Sequence, residues 1–150
     1  MYNNRSLTLV DVQNIAGRGL FTDQESMNVR SIIRMIVPAR QYDQTVVATG
    51  PGTVFEVGLT WPDAKLLVGY GENGADYALQ ERIKDTQWIT DRFDHLYLAS
   101  GDHEFIVEIA AFASVGFPVT IIGREGAIFG GYKELGIEIV ALDNGWGLAA

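Results

Sequence analysis

The sequence predicts an α/β protein of one domain, a three-layer α/β/α sandwich on a mainly parallel sheet of five or six strands. Short apolar runs typical of buried strands alternate with helix-like patterns from one end of the chain to the other. The connections are short, which favours parallel strands joined by right-handed helical crossovers. With 150 residues the chain can bury a sizeable core. It is too short for a TIM barrel, which needs about 250 residues.

Six apolar runs are expected to be strands. Most are rich in Val, Ile or Leu, as strands covered on both faces are. They lie at residues 7–12, 45–48, 65–70, 96–99, 119–122 and 137–140. If the first and fourth strands are neighbours, the strand order reverses between them. Ligands of open parallel sheets bind at such a point, beyond the carboxyl ends of the strands.

Helices are predicted between these runs from capping residues, apolar faces and terminal Gly or Pro. Thr22 and Glu25 have the spacing of a capping box, and Pro38 discourages the helix from continuing past residue 37. Asn73 is predicted to cap a helix at 74–88, which would make Asp76 an ordinary acid of a capped first turn. The remaining helices are expected at 53–58, from 105 to a stop near 116, and at 128–135, and the tail 143–150 is expected to be a loop.

Composition limits the chemistry. The absence of Cys excludes a disulfide scaffold, a zinc-thiolate site and Cys catalysis. The two histidines, His95 and His103, make a His-rich metal site an unattractive hypothesis, so any metal is expected to be held mainly by oxygen ligands. No apolar run approaches the roughly 20 residues of a membrane span, and no signal-peptide pattern is present, so the cytoplasm is the expected compartment.

The charge is unevenly distributed. The formal net charge is -8, which gives the chain as a whole no general attraction for nucleic acid. Residues 1–40 nevertheless carry five Arg against three acids. Among these, Arg18, Arg30 and Arg34 are candidate phosphate contacts. The alternative for Arg30 and Arg34 is that they solvate the outer face of a helix.

Acidic side chains follow three of the predicted strands. Asp11 ends the first, Asp76 follows the third, and Asp102 and Glu104 follow the fourth. If the first and fourth strands are neighbours, these carboxylates converge, and like charges so close either raise one another's pKa values or recruit a divalent cation. Carboxylate oxygens are the ligands that Mg²⁺ and Mn²⁺ prefer, and such an ion would orient a phosphodiester and activate water. In the alternative interpretation, the four acids are unrelated helix caps.

Other patterns support weaker hypotheses. Gly17 and Gly19 hint at a nucleotide-binding loop, and hence at a Rossmann-like nucleotide-binding protein, but the third Gly of G-x-G-x-x-G and a Walker sequence are missing. The three tryptophans are expected to be core or edge residues. An exposed one could stack on a base.

Four segments resemble the NYN domain family of the PIN-like ribonuclease superfamily. Asp11 and Asn14 resemble its opening D-x-x-N, and 74–79 (GADYAL) resembles its K-G-x-D-x-x-L element. Residues 97–105 (YLASGDHEF) resemble its S-G-D-x-D-F signature, and 116–123 are similar to its return from helix to strand. The resemblance spans nearly the whole chain, so residues 1–150 are identified as a single NYN or PIN-like domain.

The resemblance implies a PIN-like (Rossmannoid) fold and an endonuclease that cuts RNA with Mg²⁺ or Mn²⁺. It implies roles for six residues: Asp11, Asp76, Asp102 and Glu104 at the metal, with Asn14 and Ser100 orienting the acids. Glu104 replaces the usual second Asp of the signature with a longer side chain. Some PIN-like domains have lost catalysis. The alternative is therefore a regulatory or oligomerising module, which would bind a protein, a nucleotide or further copies of itself.

Overall fold

The computed structural model describes residues 4–143, which form a six-stranded parallel sheet with helices on both faces. The strands are β1 (Ser6–Asp11), β2 (Gln44–Thr49), β3 (Lys65–Val68), β4 (His95–Ala99), β5 (Val119–Arg124) and β6 (Glu138–Leu142). Their order is β3-β2-β1-β4-β5-β6, and every neighbouring pair is parallel. The predicted fold class is confirmed. The order reverses between β1 and β4, which are neighbours.

Six α-helices and three short 3₁₀ turns connect the strands. The helices are α1 (Val12–Ala16), α2 (Asp23–Ile36), α3 (Val54–Thr60), α4 (Gly74–Arg82), α5 (Thr86–Arg92) and α6 (Ile106–Ser114). The 3₁₀ turns are Pro51–Thr53, His103–Phe105 and Gly130–Leu135. None of the helices within residues 4–143 is long and apolar enough to span a bilayer. The predicted tail beyond residue 143, including Trp146, lies outside the described residues.

The sheet separates two apolar cores. Alternate residues of a strand point to opposite faces, so Leu7 and Leu9 pack toward α4, α5 and α6 whereas Val10 packs toward α1, α2 and α3. Trp61 is buried in the second core, as the sequence predicts. This alternation places Asp11, at the end of β1, on the same face as Leu7 and Leu9. That face is the one that α4 covers.

Local capping explains where the predicted elements succeed and fail. The capping box is present: Thr22 Oγ1 accepts the Glu25 N–H at 3.1 Å, and Glu25 Oε1 accepts the Thr22 N–H at 3.1 Å. The single helix expected at 74–88 is wrong. It is broken into α4 and α5, because Asp85 accepts the Trp88 N–H at 3.0 Å and begins a new helix.

An ion pair joins the loop before β2 to the start of β4. The Arg40 guanidinium donates to both oxygens of Asp94, at 2.8 and 2.7 Å, and this lowers the pKa of the Asp94 carboxyl. A lowered carboxyl pKa stabilises the fold above the unfolded-state pKa, and that contribution is lost as pH falls through the folded-state pKa. We expect Asp94→Asn to cost about 1 kcal/mol at pH 7 and almost nothing near pH 2. Urea denaturation at both pH values measures this. An equal loss at both would contradict the ionic explanation.

Candidate metal centre

Asp11 is the last residue of β1 and the N-cap of α1. Its Oδ1 accepts the Asn14 N–H at 3.1 Å, which turns the chain from strand into helix. The strand predicted to include Val12 therefore ends one residue earlier. Asp11 is buried although it carries a carboxyl group. A buried carboxylate is costly unless donors or a cation accompany it, and the backbone N–H groups of Gln13 and Asn14 compensate only part of that cost.

Asp76 reaches the same place from α4. A Cβ on Gly69 would lie 2.1 Å from the carbonyl carbon of Gly74, so the backbones of these two residues touch. Only glycines allow this approach, which seats the start of α4 against the loop after β3. Asn73 occupies the N-cap position, as predicted, but it adopts a left-handed conformation (φ 59°) and its side chain makes no capping hydrogen bond within the described residues. Asp76 is buried, and no hydrogen-bond partner from residues 4–143 reaches its Oδ1.

The turn after β4 supplies Asp102. Ser100 is buried, and its Oγ accepts the Asp102 N–H at 3.2 Å. Asn14 Oδ1 accepts the Gly101 N–H at 3.1 Å, which ties this turn to α1. Asp102 Oδ1 accepts the Glu104 N–H at 3.0 Å and caps the following 3₁₀ turn. Ser100 and Asn14 thus hold the backbone beside the acids.

The loop after β5 also packs against the turn that follows β4. A Cβ on Gly101 would lie 2.1 Å from the carbonyl oxygen of Ala127, and the Phe129 N–H donates to the Gly101 carbonyl at 2.8 Å. The Tyr132 hydroxyl donates to the Asp102 carbonyl oxygen. Sequence reasoning missed Tyr132. Its only sequence signal is an aromatic residue in a segment otherwise expected to be an ordinary short helix.

Three carboxyl groups meet at this edge. Asp76 lies within hydrogen-bonding reach of both Asp11 and Asp102. Burial, together with the neighbouring carboxyls of Asp11 and Asp102, raises the pKa of Asp76 to about 9. Burial also raises the pKa of Asp11, while hydrogen bonds from Asp76 and Asn14 oppose that rise. At neutral pH, and with no cation bound, Asp76 therefore keeps a proton and donates it to Asp11.

Glu104 and His103 extend the acidic group toward solvent. The His103 ring lies with Nδ1 3.3 Å from Asp102 Oδ1 and Nε2 3.6 Å from Glu104 Oε1. The potential ligand atoms of Asp102, His103 and Glu104 all lie within 4.8 Å of one another. Glu104 stands where the S-G-D-x-D-F signature has Asp, and its carboxylate still lies beside Asp102 and His103. His103 is an exposed neighbour of the site.

A cavity of about 370 Å³ opens beside Asp11 and Asp76. Five of the residues that line it are glycines: Gly19, Gly50, Gly69, Gly71 and Gly74. Gly17 is the C-cap of α1, with a φ of 79°. The pair Gly17 and Gly19 therefore follows the end of a helix and does not precede the start of one. This geometry differs from a dinucleotide-binding loop, in which the glycines lead into a helix N-terminus.

The candidate basic residues divide between two places. Arg18 lines the cavity beside the acids and pairs with Glu25 at 3.3 Å. Arg30 and Arg34 instead bind Asp63, at 3.6 and 3.0 Å, so the structure does not bring them to the carboxyl groups. For these two, the role as phosphate contacts at this site is wrong, because α2 directs them toward the loop before β3.

Sequence reasoning missed a second basic residue. Arg124 ends β5, and its Nε donates to the Asn14 carbonyl at 2.9 Å. The guanidinium lies against Gly17, where a Cβ would be 3.1 Å from Cζ. A charged residue ending an apolar strand, at the ligand-binding edge of the sheet, is the signal that could have identified it.

Comparison with known proteins gives evidence about the fold and none about the function. No family model and no curated protein matches this chain. The solved structure of a protein of unknown function from Vibrio parahaemolyticus is 18% identical, and the match covers 99% of this chain and 100% of that one with a TM-score of 0.63. At this identity the likeness shows a shared fold.

Proposed function

We propose that the protein is a divalent-metal-dependent endoribonuclease with its active site at the carboxyl ends of β1 and β4. The observation that carries the proposal is the buried Asp76 oxygen with no partner, in contact range of two further carboxyl groups. Buried polar atoms without a hydrogen-bond partner are rare in native proteins because they destabilise the fold. Where one occurs, a catalytic role or a bound ion is a common explanation. A cation in contact with it would supply the missing partner.

The donor set fits Mg²⁺ or Mn²⁺. Asp11, Asp76 and Asp102 offer only carboxylate oxygens, the hard ligands these ions prefer. Glu104 lies beside Asp102 and would offer a further carboxylate oxygen on that side of the site. Bound there, the ion would activate water and neutralise charge that develops on a phosphodiester. The chain's own residues orient this set: Asn14 holds the loops after β1 and β4 together, and Ser100 holds the Asp102 backbone.

Two features beside the acids favour RNA as the substrate. Arg18 and Arg124 place positive charge near the site, and Tyr70 and Phe129 are exposed in the loops on either side of it. Exposed aromatic rings can stack on the bases of a single strand. The net charge of -8 opposes binding elsewhere on the surface, so we expect weak and strongly salt-dependent affinity. Membership of the NYN family and a cytoplasmic location belong to the same proposal.

The test uses labelled RNA and purified protein with Mn²⁺, with and without a chelator. We expect cutting that the chelator stops and that Asp102→Asn reduces at least tenfold. Asp102→Asn keeps the Oδ1 acceptor for the Glu104 N–H but removes the negative charge. Glu134→Gln, which neutralises an exposed acid far from the site in sequence, is the matched control and should cut at the wild-type rate.

Two results would contradict the proposal. Equal cutting by the wild type and Asp102→Asn would show that a contaminating nuclease is responsible. Calorimetric titration with no Mn²⁺ binding at millimolar metal would favour the alternative, a binding module that has lost catalysis.

A further inference from the structure

A second cavity lies at the opposite edge of the sheet, at the amino ends of β2 and β3. Its volume is about 570 Å³. Four of the residues that line it are basic: Arg34, Arg40, Lys65 and Arg82. They come from four different parts of the fold: the end of α2, the loop before β2, the start of β3 and the end of α4. In a chain with only 11 bases and a net charge of -8, this is a concentrated positive surface.

The acids around this cavity are already engaged in holding the fold together. Asp43 accepts the N–H of Ser6 at 2.6 Å and the N–H of Arg40 at 2.9 Å. Asp94 takes both arms of the Arg40 guanidinium. These carboxylates neutralise Arg40 and fix backbone groups.

Asp63 is shared between two arginines. It pairs with Arg30 at 3.6 Å and with Arg34 at 3.0 Å, so one negative charge serves two positive ones. The Arg34 bond uses one Nη, and the guanidinium has further donors.

Lys65 and Arg82 are the open part of the cluster. Both are exposed, and neither forms an ion pair within residues 4–143. The cavity therefore gathers cations that the described protein does not neutralise. Like charges held together in a concave surface raise the local concentration of an anion.

We propose that this basic groove, lined by Arg34, Arg40, Lys65 and Arg82, binds a small compound that carries more than one phosphate charge. Arg34, Lys65 and Arg82 would contact the phosphates, because Arg40 is already paired with Asp94. Guanidinium and ammonium groups converging from several directions match phosphate oxygens. The groove's volume lies within the range of small-molecule sites. Gln41, Gln44 and Thr45 line it as well and offer neutral donors and acceptors to the rest of a nucleotide-sized molecule. The carboxyl groups of the candidate metal centre lie at the other end of the strands, so this binding is independent of the proposed catalysis.

Calorimetric titration of the full chain in EDTA with ADP, pyrophosphate and adenosine tests the proposal. We expect ADP to bind the wild type, adenosine not to bind, and the double variant Lys65→Ala/Arg82→Ala to bind ADP at least tenfold more weakly. Both side chains are exposed, so the variant should fold, and circular dichroism verifies this. Pyrophosphate binding as tight as ADP binding would identify the polyphosphate group as the ligand. Tighter ADP binding would identify a nucleotide.

Two control variants distinguish binding in the groove from a net-charge effect and from binding at the metal centre. Lys84→Ala/Lys133→Ala removes the same charge outside the groove and should leave ADP binding unchanged, and an equal weakening would show that only net charge matters. Arg18→Ala, which removes a base from the cavity beside the acids, should also leave ADP binding unchanged, and a loss of binding would place the ligand in that cavity. Either result, or a wild type that binds neither ADP nor pyrophosphate, would overturn the proposal.

Discussion

Asp76→Asn is expected to stabilise the metal-free protein at neutral pH and to weaken its binding of Mn²⁺ by more than a hundredfold. The carboxyl group of Asp76 is buried against two other acids, and burial raises its pKa to about 9. Asn has nearly the same shape and can donate to Asp11 as the protonated acid does, but its side chain does not ionise. The substitution therefore removes the ionisation of the unfolded chain, which destabilises the wild type at neutral pH. It also removes a metal ligand.

The sign of the pH dependence follows from the raised pKa. At pH 4 the carboxyl of Asp76 is protonated in the folded chain and about half protonated in the unfolded chain, so the stabilities of Asp and Asn should differ by less than about 0.5 kcal/mol. As pH rises, the unfolded chain ionises first and the wild type loses stability until the folded-state pKa is reached. At pH 7 the unfolding free energy of Asp76→Asn should exceed that of the wild type by about 2–4 kcal/mol. The upper value is about 1.36 kcal/mol for each pH unit between the unfolded-state pKa and pH 7. Chemical denaturation of both proteins in EDTA at pH 4 and pH 7 measures it.

The matched control is Glu134→Gln, which removes an exposed negative charge from the last 3₁₀ turn. It should change the unfolding free energy by less than about 0.5 kcal/mol at either pH. A variant Asp76→Asn that is less stable than the wild type at pH 7 would show that the carboxyl group is structural. Addition of Mn²⁺ should stabilise the wild type and leave Asp76→Asn unchanged, since only the wild type retains the full set of ligands.

Asp76 also shows what the sequence could and could not predict. The helix begins at Gly74, as predicted, but Asn73 adopts the left-handed conformation and its side chain makes no cap. The close contact between Gly69 and Gly74, which depends on the path of the loop after β3, seats this helix start. Two signals pointed to a common site: Asp76 and the acids after β1 and β4 each lie just beyond a predicted strand, and residues 74–79 resemble a family element.

The fold was easier to predict from the sequence than the candidate site, because the sequence signals for its strands and helices are local. Strand runs, the capping box at Thr22 and Glu25, and the turn after β4 each depend on residues a few positions apart. Errors arose where two local signals compete, as at Asp85, whose cap interrupts a continuous helical pattern. The pairing of Arg30 and Arg34 with Asp63 could not be seen either, because the partners are about 30 residues apart in the chain.

Gly19→Leu is expected to lower kcat/KM for RNA by about a hundredfold, a prediction that rests on the proposed ribonuclease function. Gly19 lines the cavity beside Asp11 and Asp76, and a Cβ there would meet only the Gln13 side chain, at 3.9 Å. A leucine can therefore be accommodated by the backbone while it fills space that a nucleotide would occupy. Misplacement of a substrate by about 1 Å is enough for a loss of this size. Steady-state cleavage of a short labelled RNA measures it.

Gly58→Leu is the control for this substitution. A Cβ on Gly58 would meet only the Leu66 side chain, at 3.9 Å, and the residue is exposed on α3, outside the cavity. It should cut RNA as the wild type does. Gly19→Leu should still bind Mn²⁺, because it contacts none of the carboxyl groups. Loss of RNA cleavage with Mn²⁺ binding intact would identify the glycine-lined cavity as the substrate path, whereas full activity would show that RNA approaches the acids from another side. A wild type that binds no Mn²⁺ would instead show that the metal-centre proposal itself fails, so the two hypotheses are separated by one pair of measurements.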